Sequence, residues 1–169
     1  MGKLNKKGFT LIEVVTSMVL IGILALVAGF GLVKVSQGYL FARQNSETVQ
    51  KAQIAMARIV KELSAATQIS PSSTAYSITY TRPGAIDNTI EISENRLRMS
   101  GTIQGILTDA IVAGGSGFQY YDAQGNSINP TTGTTDVDIR RVDITLSVRG
   151  AGGHISEFKN SVSIGKELI

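Results

Sequence analysis

The chain contains no cysteine, which removes disulfide scaffolds, thiolate metal sites and cysteine nucleophiles together and leaves the redox compartment open. Tryptophan is absent and aromatic residues make up 6% of the chain, so no large stacking platform for nucleic acid is present. His154 is the single histidine, which excludes histidine-clustered zinc and a duplicated acid–base system. It follows Gly152-Gly153, where a solvated loop residue is the simpler reading, and no Ser–His–Asp arrangement has local support. There is no proline before Pro71, so nothing interrupts a helix over the first seventy positions on that account. No charge falls between Val14 and Val33.

The net charge of +3 in 169 residues invites a nucleic-acid reading that its location rejects. Lys3, Lys6 and Lys7 lie in the first eight residues, and without them 13 basic side chains face 13 acidic ones. Elsewhere the basic residues are scattered, with Arg140-Arg141 as the adjacent pair, so no basic face for nucleic acid is expected.

What is present is concentrated at the N-terminus. A basic segment, Met1 to Lys7, precedes Gly8, then Phe9-Thr10-Leu11-Ile12-Glu13, then the uncharged run to Val33. Twenty helical residues rise about 30 Å, the hydrocarbon thickness of a bilayer. Lys34 closes the run at the far interface, and the lysines before it place the N-terminus on the cytoplasmic side. A secretory signal needs a shorter apolar core and small residues after it; here Val27-Ala28-Gly29 is embedded inside the run. A plain single-pass anchor fits the length and leaves Glu13 unexplained, because a carboxylate at the start of a membrane helix is costly unless neutralised. A cut after Gly8 would create an amine on Phe9, four positions before Glu13 and on the same helix face. That amine, its own or a neighbour's, would pair with Glu13 as subunits meet, so the unpaired state alone carries the penalty.

Lys6-Lys7-Gly8-Phe9-Thr10-Leu11-Ile12-Glu13-Val14 resembles the processing and methylation site of type IV prepilins and type II secretion pseudopilins. The resemblance implies that a membrane-embedded prepilin peptidase cuts between Gly8 and Phe9 and N-methylates Phe9. It implies partners as well: other pilins or pseudopilins through the N-terminal helix, an inner-membrane assembly platform, and the lipid bilayer. The site is a substrate, so the chain is not expected to be an enzyme and no cofactor is expected. The expected location is the bacterial inner membrane, with the head outside the cytoplasm and in a surface filament.

A second helical signature follows. Val49, Ala52, Met56, Ile59, Leu63 and Ala66 form one apolar stripe, with Lys51, Arg58, Lys61 and Glu62 off it. Glu47–Lys51 is an i, i+4 pair in the favourable order, Arg58–Glu62 in the weaker one. The pattern predicts one helix from about Phe9 to Ile69, roughly 90 Å long if continuous. Gly22, Ala25 and Gly29 share a face that permits close helix approach. Gly29-Phe30-Gly31 is weakly helical, so unwinding there on entering a filament and simple tolerance in lipid both stay open.

After Pro71 the pattern alternates. Strands are predicted at 76–81, at 89–93 and 96–100 joined by an Glu94-Asn95 turn, at 118–122 before a Gly125-Asn126 turn, at 137–148 as the longest, and at 155–164. The stretch 103–112 reads as a turn or short strand, and about 126–136 as a polar loop. The fold class is α+β: a long N-terminal α-helix packed on an antiparallel β-sheet head. The divisions are 1–8 leader, 9–34 membrane and filament-core helix, 35–70 amphipathic helix, and 71–169 head. Ile106-Leu107, Phe118 to Asp122, Gly125, Arg141 to Leu146 and Ser161 to Ile164 resemble the head of larger minor pilins and J-type pseudopilins, which implies a place at or near a filament tip.

Two further features are weighed. Asp136, Asp138 and Asp143 with loop carbonyls would suit calcium, against the plain reading of polar residues at a strand entry, and no metal is expected. Gly114-Gly115-Ser116-Gly117 lacks the Lys and Ser/Thr of a phosphate loop and reads as a flexible turn. The alternative to a filament subunit is a membrane-anchored binding protein that uses a pilin-type leader without polymerising.

Overall fold

The computed structural model describes residues 8–84, 87–129 and 139–165. Among the described residues a helix α1, Leu11–Ser64, is followed by nine strands in two antiparallel sheets. The first sheet is a meander, β1 (Gln68–Ile69), β2 (Ser77–Thr81), β3 (Asn88–Ser93), β4 (Arg96–Ser100) and β5 (Gly105–Thr108), in sequence order. The second contains β6 (Gly117–Tyr121), β7 (Ser127–Ile128), β8 (Arg141–Arg149) and β9 (Ile155–Ser163), ordered β7-β6-β8-β9. The chain divides into two compact units, one through Ala42 and one from Arg43 onward, so the second half of α1 belongs to the head.

The helix ends five residues before the predicted limit. Ala65 and Ala66 donate to the carbonyls of Glu62 and Leu63, which tightens the last turn. The Thr67 N–H then bonds the Thr81 carbonyl at 3.0 Å, and the chain is captured by β2 as β1. Ala66 and Ile69 keep their apolar contacts, but as loop and strand. The stripe itself is as predicted in outline: Ala52, Met56, Ile59, Leu63 and Ala66 are buried, with Ala55 added and Val49 only half-buried. Burying a side chain such as Ile59 or Leu63 fully contributes about 1.5–3 kcal/mol.

The expected single sheet is two. Hairpin pairing between sequence neighbours builds the first: Ser93 faces Arg96 across the Glu94-Asn95 turn, as the alternation predicted. In the second, β6 pairs with β7 on one side and with β8 on the other, and β8 in turn pairs with β9 over all nine residues. Alternation marks which residues face inward; it does not say which strand lies alongside which. The sheets join where the Phe118 N–H donates to the Ala75 carbonyl at 2.8 Å and the Tyr120 hydroxyl donates to the Thr74 carbonyl at 2.7 Å. Ile78, Tyr80, Ile90 and Leu97 from the first sheet share one core with Tyr120, Val142, Ile144, Leu146 and Val148 from the second. The longest-strand expectation is shared by β8 and β9, and the first two positions predicted for β8, Val137 and Asp138, lie outside the described residues.

Polar ties hold the helix in the head. Asn45 Oδ1 accepts the Ala151 N–H at 2.8 Å, joining positions 106 residues apart. Gly150 lies so close to Asn45 Oδ1 that a Cβ there would strike it. Glu62, expected off the stripe, is 5% exposed; it engages Arg58 at 2.9 Å, as the spacing predicted, and Arg82 at 3.0 Å. The predicted Glu47–Lys51 pair is replaced by others: Glu47 meets Arg43 at 2.9 Å, and Lys51 reaches Asp109 at 3.2 Å, a partner that sequence spacing along the helix cannot reveal.

Candidate processing and assembly site

Gly8, Phe9 and Thr10 are not helical, and all three are exposed. The helix begins at Leu11, so Thr10 occupies the N-cap position and Glu13 the third helical position. Thr10-x-x-Glu13 has the spacing of a capping box, in which the acid reaches back to the cap residue's N–H. Here Glu13 Oε2 lies 3.5 Å from the Thr10 nitrogen, the long limit for such a bond. The positive end of the helix dipole favours a carboxylate at this position as well. The carboxylate therefore has an internal partner before any cut. Phe9, 82% exposed, stands ahead of the helix rather than one turn below Glu13 on the same face. An amine made at Phe9 would start from non-helical backbone.

Beyond Glu13 the run is built for an apolar surrounding. Thr16 Oγ1 donates to the Ile12 carbonyl at 2.8 Å, and Ser17 Oγ to the Glu13 carbonyl at 2.7 Å. The two hydroxyls near the start are thus satisfied by the helix itself, as a bilayer requires. The side chains from Val14 to Val33 are exposed within the chain, and the helix is long and apolar enough to cross a membrane. Gly22, Gly29 and Gly31 lie in unbroken helix with open space where a Cβ would be.

Residues 3–33 match the family described as the prokaryotic N-terminal methylation motif. The chain has a type IV pilin-like N-terminus. The match takes in Gly8, Phe9 and Glu13 and the apolar run, and the long helix with antiparallel sheets gives a pilin-like α+β architecture. No curated protein matches the chain significantly. Motif and apolar helix together describe a membrane-anchored, pilin-like protein that is a prepilin-peptidase substrate.

The remaining candidates sit in the head of this pilin-like chain. His154 is exposed in the turn between β8 and β9, where its carbonyl accepts the Gly150 N–H at 2.8 Å. Asp143 faces Arg141 at 3.2 Å and accepts the Ser161 hydroxyl at 2.7 Å. Its expected companions Asp136 and Asp138 lie outside the described residues. Among the described residues no group of three or more His, Asp or Glu is placed to hold a metal. The glycine run 114–117 is a pinned turn rather than a flexible one. Ser147 Oγ donates to the Gly115 carbonyl at 2.7 Å, and the Ser147 N–H donates to Ser116 Oγ at 2.8 Å.

Sequence reasoning found the Arg58–Glu62 pair but placed Glu62 off the buried stripe and missed Tyr80 and Arg82. Tyr80 donates to Glu62 Oε2 at 3.3 Å beside the two arginines. Burial, then the Glu62 charge, pushes the Tyr80 phenol above its ordinary range, and burial raises Tyr120 likewise. The available signal was the adjacency of Glu62 to Leu63 on the stripe, with Arg58 one turn before it. Arg82, on the next strand's exit, has no sequence cue. Lys51 holds the exposed Asp109 carboxyl below its usual range.

Proposed function

We propose that the chain is a structural subunit of a type IV pilus or a type II secretion pseudopilus, processed by prepilin peptidase and stored in the inner membrane before assembly. One observation carries it: the methylation motif spans a Gly8–Phe9 junction that is exposed and non-helical, directly ahead of a helix able to cross a bilayer. A protease needs extended backbone at the bond it cuts, and the start of α1 at Leu11 leaves that bond free. The lysines of the leader favour a cytoplasmic N-terminus with the head on the other side. Other subunits pack on the exposed apolar helix, and heterologous packing of this kind gives an open helix rather than a ring. The head, with Phe118 to Asp122 leading β6 and Arg141 to Leu146 leading β8 side by side, supports a minor pilin or J-type pseudopilin near a filament tip. The subunit's role is structural, with no catalysis of its own.

Mass spectrometry of the chain recovered from membranes of cells that have prepilin peptidase tests the proposal. The expected product begins at Phe9 and carries an N-methyl group. A chain recovered with its lysine-rich segment intact from such cells overturns it.

A further inference from the structure

The apolar side chains do not stop at Lys34. Val35, Tyr39, Leu40 and Phe41 follow it, all exposed, with Tyr39 at 67% and Phe41 at 48%. They belong to the unit that ends at Ala42; the head begins at Arg43, whose side chain turns to Glu47 within the head. The helix from Leu11 to Ala42 rises about 48 Å at 1.5 Å per residue, against roughly 30 Å of hydrocarbon and 40–45 Å with both headgroup layers. The uncharged run ends at Val33 and fills the hydrocarbon. The eight residues after Lys34 add about 12 Å, enough to cross the outer headgroup layer of about 5–7.5 Å and reach its aqueous edge. Their composition suits that layer: two aromatics, Ser36 and Gln37 ahead of them, and a cation at either end. They also differ from a packing stripe. Leu40 and Phe41 are neighbours in sequence and point to different sides of the helix, so one partner helix would cover one of them, whereas a lipid layer surrounds both.

We infer that residues 35–42 form an interfacial collar that crosses the outer headgroup layer of the bilayer to its aqueous edge, with Tyr39 and Phe41 as its aromatic anchors. The inference rests on the membrane-anchored reading above and adds where that anchor stops. Lys34 reaches along its alkyl stem to the phosphates, and the head starts where the lipid ends.

The chain lacks tryptophan, so single substitutions report depth without background. Tyr39→Trp, Phe41→Trp, Leu24→Trp and Ile54→Trp variants of the full chain are reconstituted in phosphatidylethanolamine–phosphatidylglycerol vesicles. Quenching is then read with lipids brominated at shallow or deep positions and with aqueous acrylamide. Leu24→Trp is expected to respond to deep bromines, and the exposed head position Ile54→Trp to acrylamide. Tyr39→Trp and Phe41→Trp are expected to respond to shallow bromines and to resist acrylamide several-fold better than Ile54→Trp. Acrylamide access equal to that of Ile54→Trp at both collar positions, with Leu24→Trp still deep, overturns the collar and leaves the anchor standing. Deep quenching at both positions also overturns it. An acrylamide-accessible Leu24→Trp overturns the anchor and the collar with it.

Discussion

Glu62 is buried at 5% exposure, yet its two arginine partners keep about a third of their side chains in water. Removing the acid therefore strands two cations that are only partly desolvated. Glu62→Ala is expected to lower head stability by about 2–3 kcal/mol, below the figure for a fully buried pair. Urea unfolding of the chain in detergent measures it, and a loss of a few tenths would mean that the cluster contributes nothing net. Tyr80 and Tyr120 set an alkaline limit. Each phenol stays protonated in the fold above the pH at which it ionises in the unfolded chain. The unfolded state then loses protons first. Stability is full below about pH 10 and falls above it by up to about 1.4 kcal/mol per pH unit for each tyrosine. Tyr120→Phe is expected to make that fall shallower between pH 10 and 11; an unchanged slope would show that the phenol ionises freely in the fold.

At the scale of elements, α1 has two regimes, and substitutions separate them. Ile59 is fully buried under the sheets, whereas Ile54, five positions earlier, is 70% exposed. Ile59→Ala is expected to cost about 2–5 kcal/mol and Ile54→Ala to stay within about 0.5 kcal/mol, both read by thermal unfolding. Comparable losses at the two sites would contradict the burial. The helical stripe was legible in the sequence because periodicity of 3.6 is a local signal, and so was the β3–β4 hairpin with its two-residue turn. The helix end was not, since Thr67 to Ile69 leave the helix for hydrogen bonds with β2, a competitor more than ten residues away. The split into two sheets and the pairing of β6 with β8 were hidden for the same reason. At the processing site, Gly8, Phe9 and Glu13 were visible as residue types, while the capping contact to Thr10 required the backbone.

For the whole molecule, Glu13 has two possible partners at different times: the Thr10 N–H in the uncut chain and an amine in the assembled one. Two substitutions tell these apart. Glu13→Ala is expected to be cut normally and to enter filaments poorly. Glu13→Gln retains an acceptor for the cap and loses the charge. If charge pairing governs assembly, Glu13→Gln is recovered in sheared filaments as poorly as Glu13→Ala. Recovery at the unsubstituted level would assign the acid to capping alone.

The bond between Asn45 and Ala151 has a consequence in time. It cannot form until 106 further residues have been synthesised, which at 5–20 residues per second takes about 5–20 s. Over that interval the stripe from Ala52 to Leu63 lacks β8, the strand that supplies Val142, Ile144, Leu146 and Val148 to its core. Synthesis of the last third, rather than the intrinsic speed of collapse, thus sets how long a greasy half-made head is exposed to its neighbours. Slowing translation after Thr108 would lengthen that window without changing a single contact of the finished protein.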